Sequence, residues 1–202
     1  MTEDEARDWI RERYGVSRET RLALFVELLR KEAEKQNLIA PSTLDQIWAR
    51  HIVDSAQLLA HAPGTGMWLD IGSGAGLPGL VVALLRDAPV ELVEPRKLRT
   101  DFLSRAAAEL DLSDVSVHTA KIERTQGPAA VISARAVAQL ADLFRIARHR
   151  STSSTVWVLP KGRNAQSEVE EARRNWHGSF HVEPSITAPD SLIVVAKGVR
   201  PR

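Results

Sequence analysis

Apolar positions change their spacing about one third of the way along the 202-residue chain. In the first part they recur every three or four positions among charged residues, the spacing of helices with one buried face. Thr2 and Glu5 make a capping-box pair that opens a short helix to Tyr14, stopped by Gly15. A longer helix is expected over 17–36, with Leu22, Phe25, Val26, Leu28 and Leu29 on one face. Residues 37–42 contain Pro41 and read as a loop. Thr43 with Gln46 forms a second capping box, which predicts a helix through residue 59 striped by Leu44, Ile47, Trp48 and Ile52. Pro63-Gly64-Thr65-Gly66 closes this section.

Beyond it, short apolar runs alternate with helical patterns. Strands are expected at 67–71, 90–93, 115–118, 129–133 and 155–159, with helices at 77–85, 97–110, 137–149 and 165–176. Two last strands, 180–186 and 192–196, follow each other with no helix between them and read as an antiparallel hairpin at one sheet edge. The pattern predicts an α/β fold: a seven-stranded, mostly parallel sheet with helices on both faces. The predicted division is a helical extension over 1–65 packed on a core domain over 66–202.

Composition narrows the chemistry. The chain has no cysteine, which excludes disulfides, thiolate metal sites and cysteine nucleophiles. His177 and His181 have metal-like spacing, but Gly178 interrupts a helix that would align them, so no metal site is read. The acidic start lacks a signal-peptide pattern, and the densest apolar run, 77–85, is too short to span a bilayer. A cytoplasmic monomer is the expectation. Net charge is only +1, but basic clusters at 96–99, 145–150 and 197–202 follow an acidic first third and raise the question of a basic face.

The chemistry centres on Asp70-Ile71-Gly72-Ser73-Gly74-Ala75-Gly76, a strand running into a glycine turn. Such a turn lets backbone approach a ligand that a Cβ would exclude. Two spellings overlap there. Gly72-x-Gly74-x-Gly76 suits S-adenosylmethionine, and Gly74-x-Gly76-x-x-Gly79 suits a dinucleotide. Gly74 starts two residues late for the second, and Pro78 puts a residue without an N–H where a pyrophosphate needs one. Asp70 at the strand end can reach a cofactor's amino-acid portion directly or through water. Glu94, ending the next strand, can accept from ribose hydroxyls of either cofactor.

With these residues in view, the chain resembles the RsmG (GidB) family of bacterial 16S ribosomal RNA methyltransferases. The likeness rests on Asn37-Leu38, Arg50-His51-Ile52-Val53-Asp54-Ser55, the segment 69–79 ending Gly-Leu-Pro-Gly, Arg99 with Phe102-Leu103, Arg135-Ala136-Val137-Ala138-Gln139-Leu140 and Leu159-Pro160-Lys161-Gly162. It departs from the family's habit at Ala134, Leu98-Arg99, Glu94 and Pro160.

The resemblance implies a Rossmann-like methyltransferase fold and transfer of a methyl group from S-adenosylmethionine to N7 of one guanine in the decoding-region loop of 16S RNA, naked or within the small subunit or an assembly intermediate. It implies cofactor contacts at Gly72, Leu77, Ile122, Glu123 and Arg135, beside Asp70, Gly74 and Glu94, and RNA contacts at Arg50, His51, Arg99 and Lys161. Guanine N7 carries no proton, so no general base is expected. Two other readings stand beside this one: an NAD-dependent oxidoreductase using the overlapping glycines, and a cofactor-binding ribosome-assembly module without turnover.

Overall fold

The computed structural model describes residues 1–202. Seven strands form one sheet in the order β3-β2-β1-β4-β5-β7-β6. They are β1 (Trp68–Ile71), β2 (Val90–Glu94), β3 (Val115–Thr119), β4 (Val131–Ala134), β5 (Val156–Lys161), β6 (Trp176–Pro184) and β7 (Leu192–Pro201). The first five run parallel, whereas β7 lies antiparallel between β5 and β6. Strand order reverses between β1 and β4. In open sheets of this kind ligands bind outside the carboxyl ends at that reversal. The turn after β1 and residue 135 after β4 flank it.

The helices cover both faces. On one, α1 (Glu3–Tyr14), α2 (Val16–Ala33), α4 (Gly79–Leu85) and α5 (Lys97–Glu109) share a buried cluster that continues into the segment 47–62. On the other, α6 (Leu140–Ala147) and α7 (Ala165–Asn175) pack on the sheet around Phe144, whose ring meets Trp157 at 5.0 Å and Trp176 at 5.6 Å. No helix is long and apolar enough to cross a membrane. Arg150, 1% exposed, makes two hydrogen bonds to Glu91 at 3.0 and 2.6 Å and also donates to Gly127 O, binding β2 to the chain on either side of β4.

Three expectations are corrected. The single helix predicted over 43–59 is a 3-10 turn (Pro41–Gln46), a π segment (Trp48–Val53), a short α3 (Asp54–Ala56) and another 3-10 turn (Gln57–His61). Glu3 of α1 accepts the N–H groups of Trp48 and Ala49 at 3.0 and 2.9 Å, so these donors do not join an α ladder. The Thr43 hydroxyl donates to Ala40 O at 2.8 Å rather than capping Gln46. Second, α6 starts at Leu140 instead of 137. Ala136 is left-handed (φ 55°), and Glu168 of α7 accepts the Leu140 N–H at 2.9 Å. Third, β6 starts at Trp176, four residues early, with a register shift between His177 and Ser179.

Candidate cofactor and substrate site

The turn after β1 folds back on itself. Gly72, Gly74 and Gly76 all have positive φ (67°, 52° and 84°), which favours glycine. Gly72 and Ser73 donate their N–H groups to Val93 O, and Gly76 and Leu77 donate to Ser73 O. Gly74 N–H goes to Glu94 Oε2 at 3.1 Å. At the start of α4, Gly79 N–H goes to Asp70 Oδ2 at 3.2 Å and Leu80 N–H to Gly76 O. The turn itself thus consumes the N–H groups of Gly72, Ser73, Gly74, Gly76, Leu77, Gly79 and Leu80. A pyrophosphate would meet spent donors, Pro78 and the Glu94 carboxylate. The dinucleotide reading is therefore corrected: Gly76 and Gly79 serve packing against Leu80 and Leu92, and Gly74 serves the left-handed bend of the turn. A Cβ on Gly79 would lie 2.3 Å from Leu92 and 2.8 Å from Asp70 Oδ2.

The same geometry fits S-adenosylmethionine, which carries no phosphate. Glu94 is 3% exposed, takes Gly74 N–H and Arg96 N–H (3.0 Å), and retains lone pairs for hydroxyl donors. Ile122 is buried and Glu123 exposed in the 3-10 turn after β3, on the strand next to Glu94. Leu77 is buried under the turn. Over Gly72 lies Val137, whose Cγ2 would be 2.6 Å from a Cβ added there.

Asp70 is placed otherwise than expected. It has no exposed surface: Oδ1 accepts from Ser133 Oγ at 2.7 Å, and that hydroxyl accepts from Trp68 Nε1 at 2.8 Å. Burial pushes its pKa up to about 6 against the opposing hydrogen bonds from Ser133 and Gly79. Asp70 therefore holds the loop and α4 from behind and is no direct ligand contact.

Four residues read as RNA contacts separate on inspection. Arg50 is exposed. His51 is buried, with Nδ1 3.2 Å from an Arg135 nitrogen and Nε2 2.8 Å from Thr43 Oγ1. Burial, with Arg135 and Arg50 nearby, lowers its pKa to about 4, so it is neutral. Arg135 has no lone pair to give and Thr43 donates to Ala40, so Nδ1 accepts and Nε2–H donates. Expected among the RNA contacts, His51 is placed as a buried neutral support for Arg135. Lys161, expected among the RNA contacts, is tied to Ala138 O (2.8 Å) and Glu168 (2.7 Å) and braces the start of α6. Arg99 lies 3.7 Å from Glu94 and beside Gly74, with the turn rather than apart from it.

Arg135 NH1 lies 3.6 Å from the Asp54 carboxylate. Asp54, Arg135, residues 136–139, Pro160, Lys161 and the link between β6 and β7 enclose a cleft of about 490 Å³ next to the turn. The contribution of Ser185 and Ser191 to it was not legible beforehand.

The family model for rRNA small subunit methyltransferase G (GidB) matches residues 18–190. The chain belongs to this family. It is 48% identical to the ribosomal RNA small subunit methyltransferase G of Novosphingobium aromaticivorans, over 98% of this chain and 89% of that one. It is 50% identical to the protein of the same name from Sphingopyxis alaskensis, over 96% and 85%. Among solved structures, the glycopeptide N-methyltransferase MtfA complexed with sinefungin is similar at TM-score 0.61 and 10% identity, covering 73% of this chain and 93% of that one. The ribosomal protein L11 methylase of Lactobacillus delbrueckii is similar at 0.60 and 14%, covering 72% and 76%. These two share the fold. The matched residues 18–190 include the glycine turn and the Arg50–Ser55 segment.

Proposed function

We propose that this methyltransferase G family member carries a methyl group from S-adenosylmethionine to N7 of a guanine in 16S ribosomal RNA. The observation that carries this reading is the match of residues 18–190 to the methyltransferase G family, joined to a glycine turn closed by Glu94. Behind the cleft-lining Arg135, His51 has both its ring nitrogens engaged, by Arg135 and Thr43. Glu168 is likewise held by Lys161 and Leu140 N–H. Guanine N7 has no proton to lose, so the reaction needs no base to take one. When bound, S-adenosylmethionine supplies an electrophilic methyl carbon. The chain's part is alignment and exclusion of water: Gly72 and Glu94 on the cofactor side, Arg135 and Val137 between cofactor and cleft.

We further propose that the enzyme acts as a cytoplasmic monomer on RNA within the small subunit or an assembly intermediate, a preference that parallel assays on naked RNA and on particles would test. For the chemistry itself, the single-turnover rate at saturating substrates should stay nearly flat from mildly acidic to mildly alkaline pH, with 7-methylguanine as the product by mass analysis. A steep rise with a pKa near neutrality, or methylation of an amine or hydroxyl, would remove the N7 assignment.

A further inference from the structure

Asp54 is a carboxylate fixed by one oxygen and open at the other. Its Oδ1 accepts from Gln57 Nε2 at 2.9 Å, Thr187 Oγ1 at 3.0 Å and Ser185 Oγ at 3.4 Å. Its Oδ2 makes no hydrogen bond; the nearest cation, Arg135 NH1, stands off at 3.6 Å. Both residues line the cleft beside the turn, with side chains 16% and 22% exposed. Arg135 is steadied by His51 Nδ1 and by Asp54, and keeps further N–H groups of its fork for a ligand. The cleft thus presents a fixed acceptor beside a fixed donor, with Val137 and Ile193 among its apolar lining.

We propose that this pair reads the acceptor base, with Asp54 Oδ2 accepting the N1–H of guanine and Arg135 donating to its O6. The assignment rests on the reading that guanine is the base methylated. O6 and N1–H are neighbours on one edge of guanine, so a donor and an acceptor side by side meet them with two parallel, charge-assisted hydrogen bonds. Adenine inverts both groups: its amino group would face Arg135, and its N1 lone pair would face the carboxylate. Enzymes that modify a base commonly take it out of the stack and read that edge in a pocket. In RNA the favoured targets are unpaired loops, whose bases are free to be splayed out. Because three donors, Gln57 one turn away and Ser185 and Thr187 on a distant segment, fix Oδ1, Asp54 cannot swing away to relieve a mismatch. The wrong base therefore leaves two buried polar groups unpaired.

The test compares single-turnover methylation of an RNA carrying guanine at the acceptor position with one carrying 2,6-diaminopurine, which keeps N7 but inverts the other two groups. Each substrate is given to the wild type, to Asp54→Asn and to Asp54→Ser, and S-adenosylmethionine affinity is measured for all three proteins. Intrinsic differences in N7 reactivity cancel when the guanine-to-diaminopurine ratio is compared between proteins. The ratio should fall roughly 10- to 100-fold in Asp54→Asn, whose amide can donate to the diaminopurine N1, while cofactor affinity stays within about twofold. Asp54→Ser should lower it in the same direction, and it decides the matter if the asparagine protein fails to fold. A variant that binds cofactor and keeps the wild-type ratio overturns the assignment of Asp54 alone. A wild type that leaves guanine N7 unmethylated overturns the functional reading beneath it as well.

Discussion

At the scale of single residues, carboxylates of one chemical type do different work according to what surrounds them. Glu94 sits at the carboxyl edge with two backbone donors and room for more. Replacing it with alanine should weaken S-adenosylmethionine binding by about 1.5–3 kcal/mol, the worth of hydrogen bonds to a charged group. Calorimetry should show a smaller loss for a fragment without ribose; an equal loss would mean that Glu94 acts only through the Gly74 turn. Asp70 and His51 are buried with pKa shifts of opposite direction, which oppose each other in their effect on stability. For His51, folding lowers the pKa from 6.5 to about 4, so its contribution is complete above pH 6.5 and is lost as pH falls toward 4. For Asp70, raised to about 6, the contribution is complete below about 3.8 and is lost as pH rises through 6. The destabilisation caused by His51→Gln should therefore be largest near pH 7 and shrink by roughly 3 kcal/mol by pH 4. Urea denaturation at several pH values measures this, and a pH-independent loss would refute the neutral His51. The glycine turn and Glu94 were legible because their signals are local in sequence. The tasks of Asp70, His51 and Lys161 were not, because Ser133, Arg135 and Ala138 lie far from them along the chain or across a turn.

At the scale of elements, what could be read in advance was what neighbouring residues decide. The α1 capping box is present as written, with Thr2 and Glu5 each donating backbone N–H to the other's side chain at 2.8 and 3.2 Å. The strand sequence and the antiparallel final pair also follow from local apolar runs. The segment 41–61 escaped because Glu3, on another helix, takes two of its backbone donors. Long-range pairing also governs how β2 is held. Removing Glu91 by alanine would strand Arg150, 1% exposed, without its counter-charge, and should cost about 3–5 kcal/mol in a denaturant titration. A loss below 1 kcal/mol would show that Gly127 O and Thr125 Oγ1 suffice for the guanidinium.

For the molecule as a whole, the three basic clusters do not form one face. Residues 96–99 follow the carboxyl end of β2 beside the site, whereas Arg150 and Lys197 align with the opposite ends of β4 and β5. Arg145 is paired with Asp142 and Arg150 with Glu91. Attraction for RNA should then come from exposed cations around the cleft. Arg50→Ala should lower RNA affinity and reduce the slope of log affinity against log salt by about one contact's worth. Lys161→Ala should leave that slope unchanged while loosening the start of α6, and equal slope changes in a salt series would contradict the separation. The cleft draws on Asp54 ahead of β1, Arg135 after β4 and Ser185 between β6 and β7, with Thr187 beside Ser185 also holding Asp54. Synthesis runs from the amino end, so the glycine turn is complete while the hairpin that clamps Asp54 is still unmade. A chain cut short before residue 185 would keep every residue that faces the cofactor and lack the donors that fix its acceptor for the base. The acceptor proposed to read the base is thus fixed later in synthesis than the cofactor turn is made.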